Sequence, residues 1–80
     1  MQLENKVVIV TGGAAGIGGA ISRVLTARGA KVVAVDIDAA AGAALEADRG
    51  ADVVFIQADV GLPETAERAV NTAVERFGGL

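Results

Sequence analysis

The sequence predicts an α/β fold in which three parallel β-strands alternate with three α-helices. Three short apolar runs, at residues 7–10, 32–35 and 53–56, are rich in β-branched residues and contain no polar side chain. Uninterrupted runs of this kind are typical of parallel strands that are covered by helices on both faces. Each run is followed by turn residues and then by helical periodicity. The order is therefore βαβαβα, with right-handed crossovers.

The strands are expected near residues 6–11, 31–36 and 53–58. In the first helix the apolar residues recur at helical spacing and form one packing face, and Gly29 follows as a helix stop. The second helix, at residues 39–49, is rich in alanine and has Leu45 as its only large apolar anchor. The apolar face of the first helix consists of Ile17, Ala20, Ile21, Val24 and Leu25.

The third helix repeats the same spacing and ends at Gly78 and Gly79. Pro63 suits its first position, where the missing N–H costs nothing. Leu62 then occupies the N-cap and offers no side-chain acceptor, so the start of this helix is weak. The periodic residues are Ala66, Ala69, Val70, Ala73, Val74 and Phe77.

Length and composition exclude several classes of function. Eighty residues allow at most one small domain, and a hydrophobic content of 52% with a net charge of −3 is typical of a globular chain. No basic cluster is present, so nucleic acids and anionic membranes are poor partners. The absence of Cys and His excludes thiolate and imidazole nucleophile schemes. No segment is long and apolar enough to span a bilayer, and we expect a cytoplasmic protein.

A glycine-rich turn, residues 12–18, joins the first strand to the first helix and is the main candidate site. The N–H groups and partial positive charge of a helix N-terminus bind a diphosphate if the backbone can come close. We expect Gly12 to allow the tight turn, Gly16 the close passage of the ligand, and Gly18 the close packing of helix on strand. Flexible turn glycines without a ligand are the alternative, but the strand-to-helix context favours a dinucleotide.

Asp36 ends the second strand, 18 residues after Gly18. A carboxylate at about this distance accepts hydrogen bonds from the adenosine ribose of a bound dinucleotide. It would repel a 2′-phosphate by about 1 to 4 kcal/mol per unit charge at about 4 Å, and the neighbours Ala14, Ala15 and Ile37 offer no positive charge. The cofactor predicted is therefore NAD, not NADP. The alternative is a solvated acid at a strand end.

Asp59 follows the third strand and lies, like Asp36, at the carboxyl ends of the predicted parallel strands. A carboxylate at this place can accept a hydrogen bond from the adenine amine, with Val60 beside it. A turn-forming aspartate before the third helix explains Asp59 nearly as well.

The Thr-Gly-x-x-x-Gly-x-Gly motif at residues 11–18, with Asp36 and Asp59-Val60 at these offsets, resembles the short-chain dehydrogenase/reductase family over essentially the whole chain. The resemblance implies one half, with strand order 3-2-1, of a doubly wound Rossmann-type sheet. It also implies hydride transfer between NAD(P) and an alcohol or carbonyl. Residues 1–80 would then form an incomplete NAD-binding domain. Its cofactor contacts would be Gly12, Gly16, Ile17, Gly18, Asp36, Ile37, Asp59 and Val60, with Thr11 largely structural.

Catalysis in the resembled family depends on Ser, Tyr and Lys residues from the later part of the chain, helped by an Asn. This sequence has no Tyr, and its only Ser, Ser22, lies in the first helix, where a surface or packing role is expected. No catalytic residue can be named. We therefore expect the cofactor-binding part of an NAD-dependent dehydrogenase that forms homo-oligomers at full length. A stand-alone, non-catalytic NAD-binding module is the alternative.

Overall fold

The computed structural model describes residues 3–79 and contains the expected alternation of strands and helices. The strand predictions are confirmed to within one residue at each end, and the second helix has the predicted bounds. None of the helices in the described range has the length and apolar character needed to cross a membrane. The elements are β1 (Val7–Thr11), α1 (Gly16–Ala27), β2 (Lys31–Asp36), α2 (Ala39–Arg49), a 3-10 turn (Gly50–Asp52), β3 (Val53–Gln57) and α3 (Pro63–Phe77).

The three strands form one parallel sheet in the order β1-β2-β3, which is the predicted 3-2-1 order. Val8 pairs with Val32, and Val33 pairs with Val54, so β2 lies in the centre. The four residues from Val32 to Val35 are at most 1% exposed. The run is continuous because both faces of this strand are covered.

Helices cover the two faces of the sheet unequally. On one face, Val32 and Ala34 pack with Leu45 of α2, which is the predicted anchor and is fully buried. On the other face, Val33 and Val35 pack with α3. Successive residues of β2 therefore supply two separate cores, and among the helices that the structure describes α3 alone covers the second.

The predicted packing face of α1 is wrong except at Leu25, which is half-buried and packs against the core on the α2 side. Ile17, Ile21 and Val24 are 81%, 46% and 52% exposed, whereas the buried residues of this helix are Gly19, Ser22 and Thr26. Small residues let the helix approach the sheet closely, and the apolar stripe is rotated away from it. In α3 likewise, Ala69 and Ala73 are buried while Val70 and Val74 are exposed. Most of the larger apolar residues of both helices therefore remain on the surface of the described structure, whereas Leu25 and Phe77 pack against the two cores.

The two edges of the sheet differ. At the β3 edge, the outward N–H of Phe55 donates to a carboxylate oxygen of Glu46 on α2, at 3.0 Å. At the β1 edge, the flanking residues Lys6 and Gly12 bond to β2. The alternation of a strand then directs the backbone groups of Val7, Ile9 and Thr11 away from β2. Within residues 3–79 no strand pairs with that side.

Leu62 is the N-cap of α3, as predicted, and makes no side-chain hydrogen bond. We expect Leu62→Ser to raise the free energy of unfolding by about 0.5–2 kcal/mol, because its hydroxyl can accept a free N–H of the first turn. Leu62→Ala is the matched control, since it removes the same side chain without adding an acceptor. Chemical denaturation of both variants gives the difference. Equal stabilities for the serine and alanine variants would contradict the expected cap.

Candidate active site

The glycine turn leads from β1 into α1 with two residues in the left-handed region. Gly12 has φ +65° and Gly16 has φ +54°, and the position of a Cβ is open at both. A side chain at either position would be strained because L residues rarely adopt these angles. At Gly18 a Cβ would lie only 1.7 Å from the carbonyl oxygen of Gly12. The close contact expected between helix and strand is therefore made with the turn that joins them.

In the described residues, no side chain of the N-cap or first turn of α1 accepts the free N–H groups at the start of this helix. Its N-cap, Ala15, makes no side-chain hydrogen bond, and the first turn contains no acidic residue. The first N–H groups of a helix have no partner within the helix and carry partial positive charge. An anion that approached the open side of Gly16 would meet these donors. This arrangement suits a diphosphate better than a cation or an apolar group.

The glycine turn is fixed to the end of β2 by backbone hydrogen bonds. The N–H groups of Gly12 and Gly13 donate to the carbonyl oxygen of Val35, at 2.7 and 3.3 Å. One residue further along β2, the Asp36 carboxylate accepts the N–H of Ala14 at 3.2 Å. The structure therefore brings together the two features that the sequence separated by 18 residues.

Asp36 also accepts the N–H of Asp38, at 3.1 Å from its second carboxylate oxygen. The hydrogen bond from Asp38 lowers the pKa of the Asp36 carboxyl most. Partial burial opposes this, and the N–H of Ala14 lowers the pKa further. A depressed pKa means that the carboxylate contributes its stabilisation above the ordinary value, about 3.9, and loses it as the pH falls through the lowered value. The group is ionised at neutral pH.

Asp59 forms the turn before α3, which is the structural role that the sequence left open. Its carboxylate accepts the N–H of Gly61 at 2.8 Å, and its carbonyl oxygen accepts the hydroxyl of Thr65 at 2.7 Å. Asp59 is exposed to solvent. Ile17, Ile37 and Val60 are exposed as well.

A mostly apolar cavity of about 160 Å³ lies between α3 and the sheet, next to the end of β1. Val60 of the predicted adenine contact and Thr11, the residue before the glycine turn, both line it. The lining residues are Ile9, Thr11, Val35, Val60, Thr65, Ala66, Ala69 and Val70.

Comparison with known proteins agrees with this geometry. The family model described as short chain dehydrogenase matches residues 6–80. The chain belongs to the short-chain dehydrogenase family. It is 50% identical over 78 residues to the sex determination protein tasselseed-2 of Zea mays, and 42% identical over 82 residues to an uncharacterized oxidoreductase of Thermotoga maritima. A crystal structure of a short-chain dehydrogenase/reductase (glucose/ribitol dehydrogenase) from Brucella melitensis superposes with a TM-score of 0.90 at 37% identity.

The matches cover nearly all of this chain but a minority of each relative. The alignments include 98% of the chain and 23% of tasselseed-2, 99% and 32% for the Thermotoga protein, and 100% and 36% for the Brucella structure. The chain thus spans about a quarter to a third of the length of these relatives. Short-chain dehydrogenases are oxidoreductases that depend on a nicotinamide nucleotide, and the described site lies in the part that this chain shares with them.

In this member of the short-chain dehydrogenase family, Ser22 is buried, as the expected packing role allows, but its hydrogen bond to the glycine turn was not predicted. The Ser22 side chain is completely buried, and its hydroxyl donates to the carbonyl oxygen of Gly13 at 2.8 Å. One turn later the Thr26 hydroxyl donates to the carbonyl oxygen of Ser22 at 2.9 Å and accepts from Arg49 of α2 at 2.8 Å. The available signal was position, because a helical side chain covers the turn N-terminal to its own Cα.

Proposed function

We propose that this chain forms the cofactor-binding N-terminal part of an NAD-dependent oxidoreductase. The enzyme transfers a hydride between nicotinamide C4 and the carbon of an alcohol or carbonyl substrate. The observation that carries the proposal is the hydrogen bond from Ala14 to Asp36, because it holds a diphosphate-binding turn and a ribose-binding acid side by side. Membership of an oxidoreductase family supports the same reaction class.

The glycine turn would bind the diphosphate of the cofactor. Gly12 and Gly16 leave the approach open, and Gly18 brings the start of α1 against the turn. The free N–H groups at the helix start, including that of Ile17, then face the phosphate oxygens. No cationic side chain is needed for this contact, since backbone donors and the helix dipole supply the positive potential.

Asp36 would bind the adenosine ribose and select NAD. Each of its carboxylate oxygens accepts one backbone N–H, and an ionised carboxylate has about four acceptor sites, so acceptors remain for the ribose hydroxyls. The same charge opposes a 2′-phosphate. Ile37 lies beside this position, while Asp59 and Val60 would contact the adenine at the end of β3.

The bound nicotinamide supplies hydride transfer, whereas the described residues bind and orient it. No tyrosine is present to hold or deliver the proton. We therefore assign proton transfer and substrate recognition to the polypeptide that the longer relatives carry beyond this part. A cytoplasmic location and homo-oligomers of the whole protein stay predictions.

The proposal is tested with the whole polypeptide encoded by the reading frame that contains this sequence. In calorimetric titrations we expect NAD to bind and NADP to bind about five- to nearly a thousandfold more weakly, which corresponds to the repulsion of about 1–4 kcal/mol at Asp36. A folded protein that binds neither nucleotide, or binds both equally, would contradict the proposal. Tight NAD binding without turnover of any alcohol or carbonyl would favour the non-catalytic module instead.

A further inference from the structure

We propose that Ser22 is a positioning residue for Asp36 and acts through the single peptide unit that joins Gly13 to Ala14, called here the Gly13–Ala14 peptide. The role assigned to Asp36 in cofactor binding rests on the proposed function. The coupling between the two side chains is a property of the chain itself and can be measured without a cofactor.

The Gly13–Ala14 peptide is held at both of its polar ends. Its carbonyl oxygen, which belongs to Gly13, accepts the Ser22 hydroxyl at 2.8 Å. Its N–H, which belongs to Ala14, donates to the Asp36 carboxylate at 3.2 Å. Because the peptide is planar, its C=O and N–H directions turn together. The orientation of one bond therefore fixes the direction of the other.

The surroundings leave the peptide few other partners. Gly13 and Ala14 are buried, and a Cβ at Gly13 would lie 2.5 Å from the carbonyl oxygen of Val10. Without the Ser22 hydroxyl, the Gly13 carbonyl oxygen would be a buried acceptor that has lost its donor. A buried acceptor without a donor is unfavourable, so the carbonyl group lowers its free energy by turning towards water or another donor. Any such rotation would also carry the Ala14 N–H away from Asp36.

Polarisation of the Gly13–Ala14 peptide also strengthens the hydrogen bond from Ala14 to Asp36. A carbonyl oxygen that accepts a hydrogen bond makes the N–H of the same peptide a better donor, and chains of hydrogen bonds strengthen one another in this way. The Ala14 N–H is one of the groups that lower the pKa of the Asp36 carboxyl. Loss of the Ser22 hydroxyl should therefore raise the pKa of the Asp36 carboxyl.

Thr26 offers a matched control for a purely structural effect. Like Ser22, it is buried and lies on the sheet side of α1. Its hydroxyl bonds to the carbonyl oxygens of Ser22 and Arg23 and to Arg49, none of which belongs to the glycine turn. Thr26→Ala thus removes a buried hydroxyl from the same helix and leaves the Gly13–Ala14 peptide held at both ends.

The test compares Ser22→Ala and Thr26→Ala in the whole polypeptide. The pKa of Asp36 is followed by NMR of its carboxyl carbon without cofactor, and NAD affinity is measured by calorimetry. We expect Ser22→Ala to raise the pKa of Asp36 towards the ordinary value of about 3.9 and to weaken NAD binding about two- to tenfold, the range for one neutral hydrogen bond. Thr26→Ala should change neither quantity, although it lowers stability.

An unchanged Asp36 pKa in Ser22→Ala, or an equal change in Thr26→Ala, would overturn the inference. If Ser22→Ala does not fold, Ser22→Cys keeps a weak S–H donor in the same place, and a smaller upward shift of the Asp36 pKa is expected. No shift in that variant would also overturn it. A wild-type protein without NAD affinity would contradict the proposed function, while the pKa comparison would still test the coupling.

Discussion

Asp36→Ala is expected to weaken NAD binding about ten- to a hundredfold. The variant loses hydrogen bonds from the ribose to a charged acceptor, which contribute about 1.5–3 kcal/mol. NADP binding should change in the opposite direction, because the repulsion of its 2′-phosphate disappears with the carboxylate. The ratio of the Kd for NADP to the Kd for NAD therefore falls by a larger factor than either Kd changes alone. Both constants are measured by calorimetry in the whole polypeptide.

Two further variants test whether the effect on nucleotide affinity comes from the charge of Asp36, and whether it depends on where in the structure the carboxylate is removed. Asp36→Asn keeps an acceptor of the same size but no charge, so it should regain part of the NAD affinity while the discrimination against NADP stays low. Asp48→Ala removes a carboxylate near the C-terminal end of α2, which pairs with Arg23 of α1 and not with the glycine turn. It should leave both nucleotide affinities unchanged. An Asp36→Ala protein that still rejects NADP would show that another group selects the cofactor.

Gly18→Ala is expected to disrupt the glycine turn. The added Cβ would lie 1.7 Å from the carbonyl oxygen of Gly12 and 2.6 Å from its carbonyl carbon. These are backbone atoms, so relief requires the turn or the helix to move. Overpacking of this kind costs about 1–3 kcal/mol or more, whereas the helix propensity of alanine returns at most about 1 kcal/mol. The net result is a lower free energy of unfolding.

The same substitution should reduce NAD affinity more than tenfold, because the N–H groups that face the diphosphate move with the turn. Gly79→Ala is the matched control. Its added Cβ meets no atom within 4 Å, and its φ is not in the left-handed region. It should preserve both stability and affinity. Denaturation and calorimetry on the two variants make the comparison, and a Gly18→Ala protein with unaltered affinity would contradict the assigned role of the turn.

Much of the fold could be predicted because the strands are marked by strong local signals. The run at residues 32–35 is continuous because β2 is covered on both faces, and the structure buries all four residues. The juxtaposition of the glycine turn and Asp36 was also predictable. Parallel strands bring their carboxyl ends to one edge, so turns that follow neighbouring strands must meet there.

The packing of α1 could not be predicted, because periodicity reveals an apolar face but not which face lies on the sheet. Here close approach decides the outcome: Gly19 and Ser22 fit against the sheet side, whereas Ile21 and Val24 do not lie there. The role of Ser22 was hidden for a related reason. A lone serine in a helix is ordinary, and only coordinates show that its hydroxyl and Asp36 bond to opposite ends of one peptide.

The hydrogen bond from Phe55 to the Glu46 carboxylate makes the two edge strands of the sheet, β1 and β3, unequal as sites where another strand could pair. It occupies one backbone donor that another strand would need at β3, whereas no such side-chain partner is found at β1 in the described residues, so strand addition is favoured beside β1. Two such sheets that met at their β1 edges would leave their β3 edges outermost, each with one backbone donor already bonded to Glu46. Further strand pairing would therefore be opposed at both outer edges of the pair.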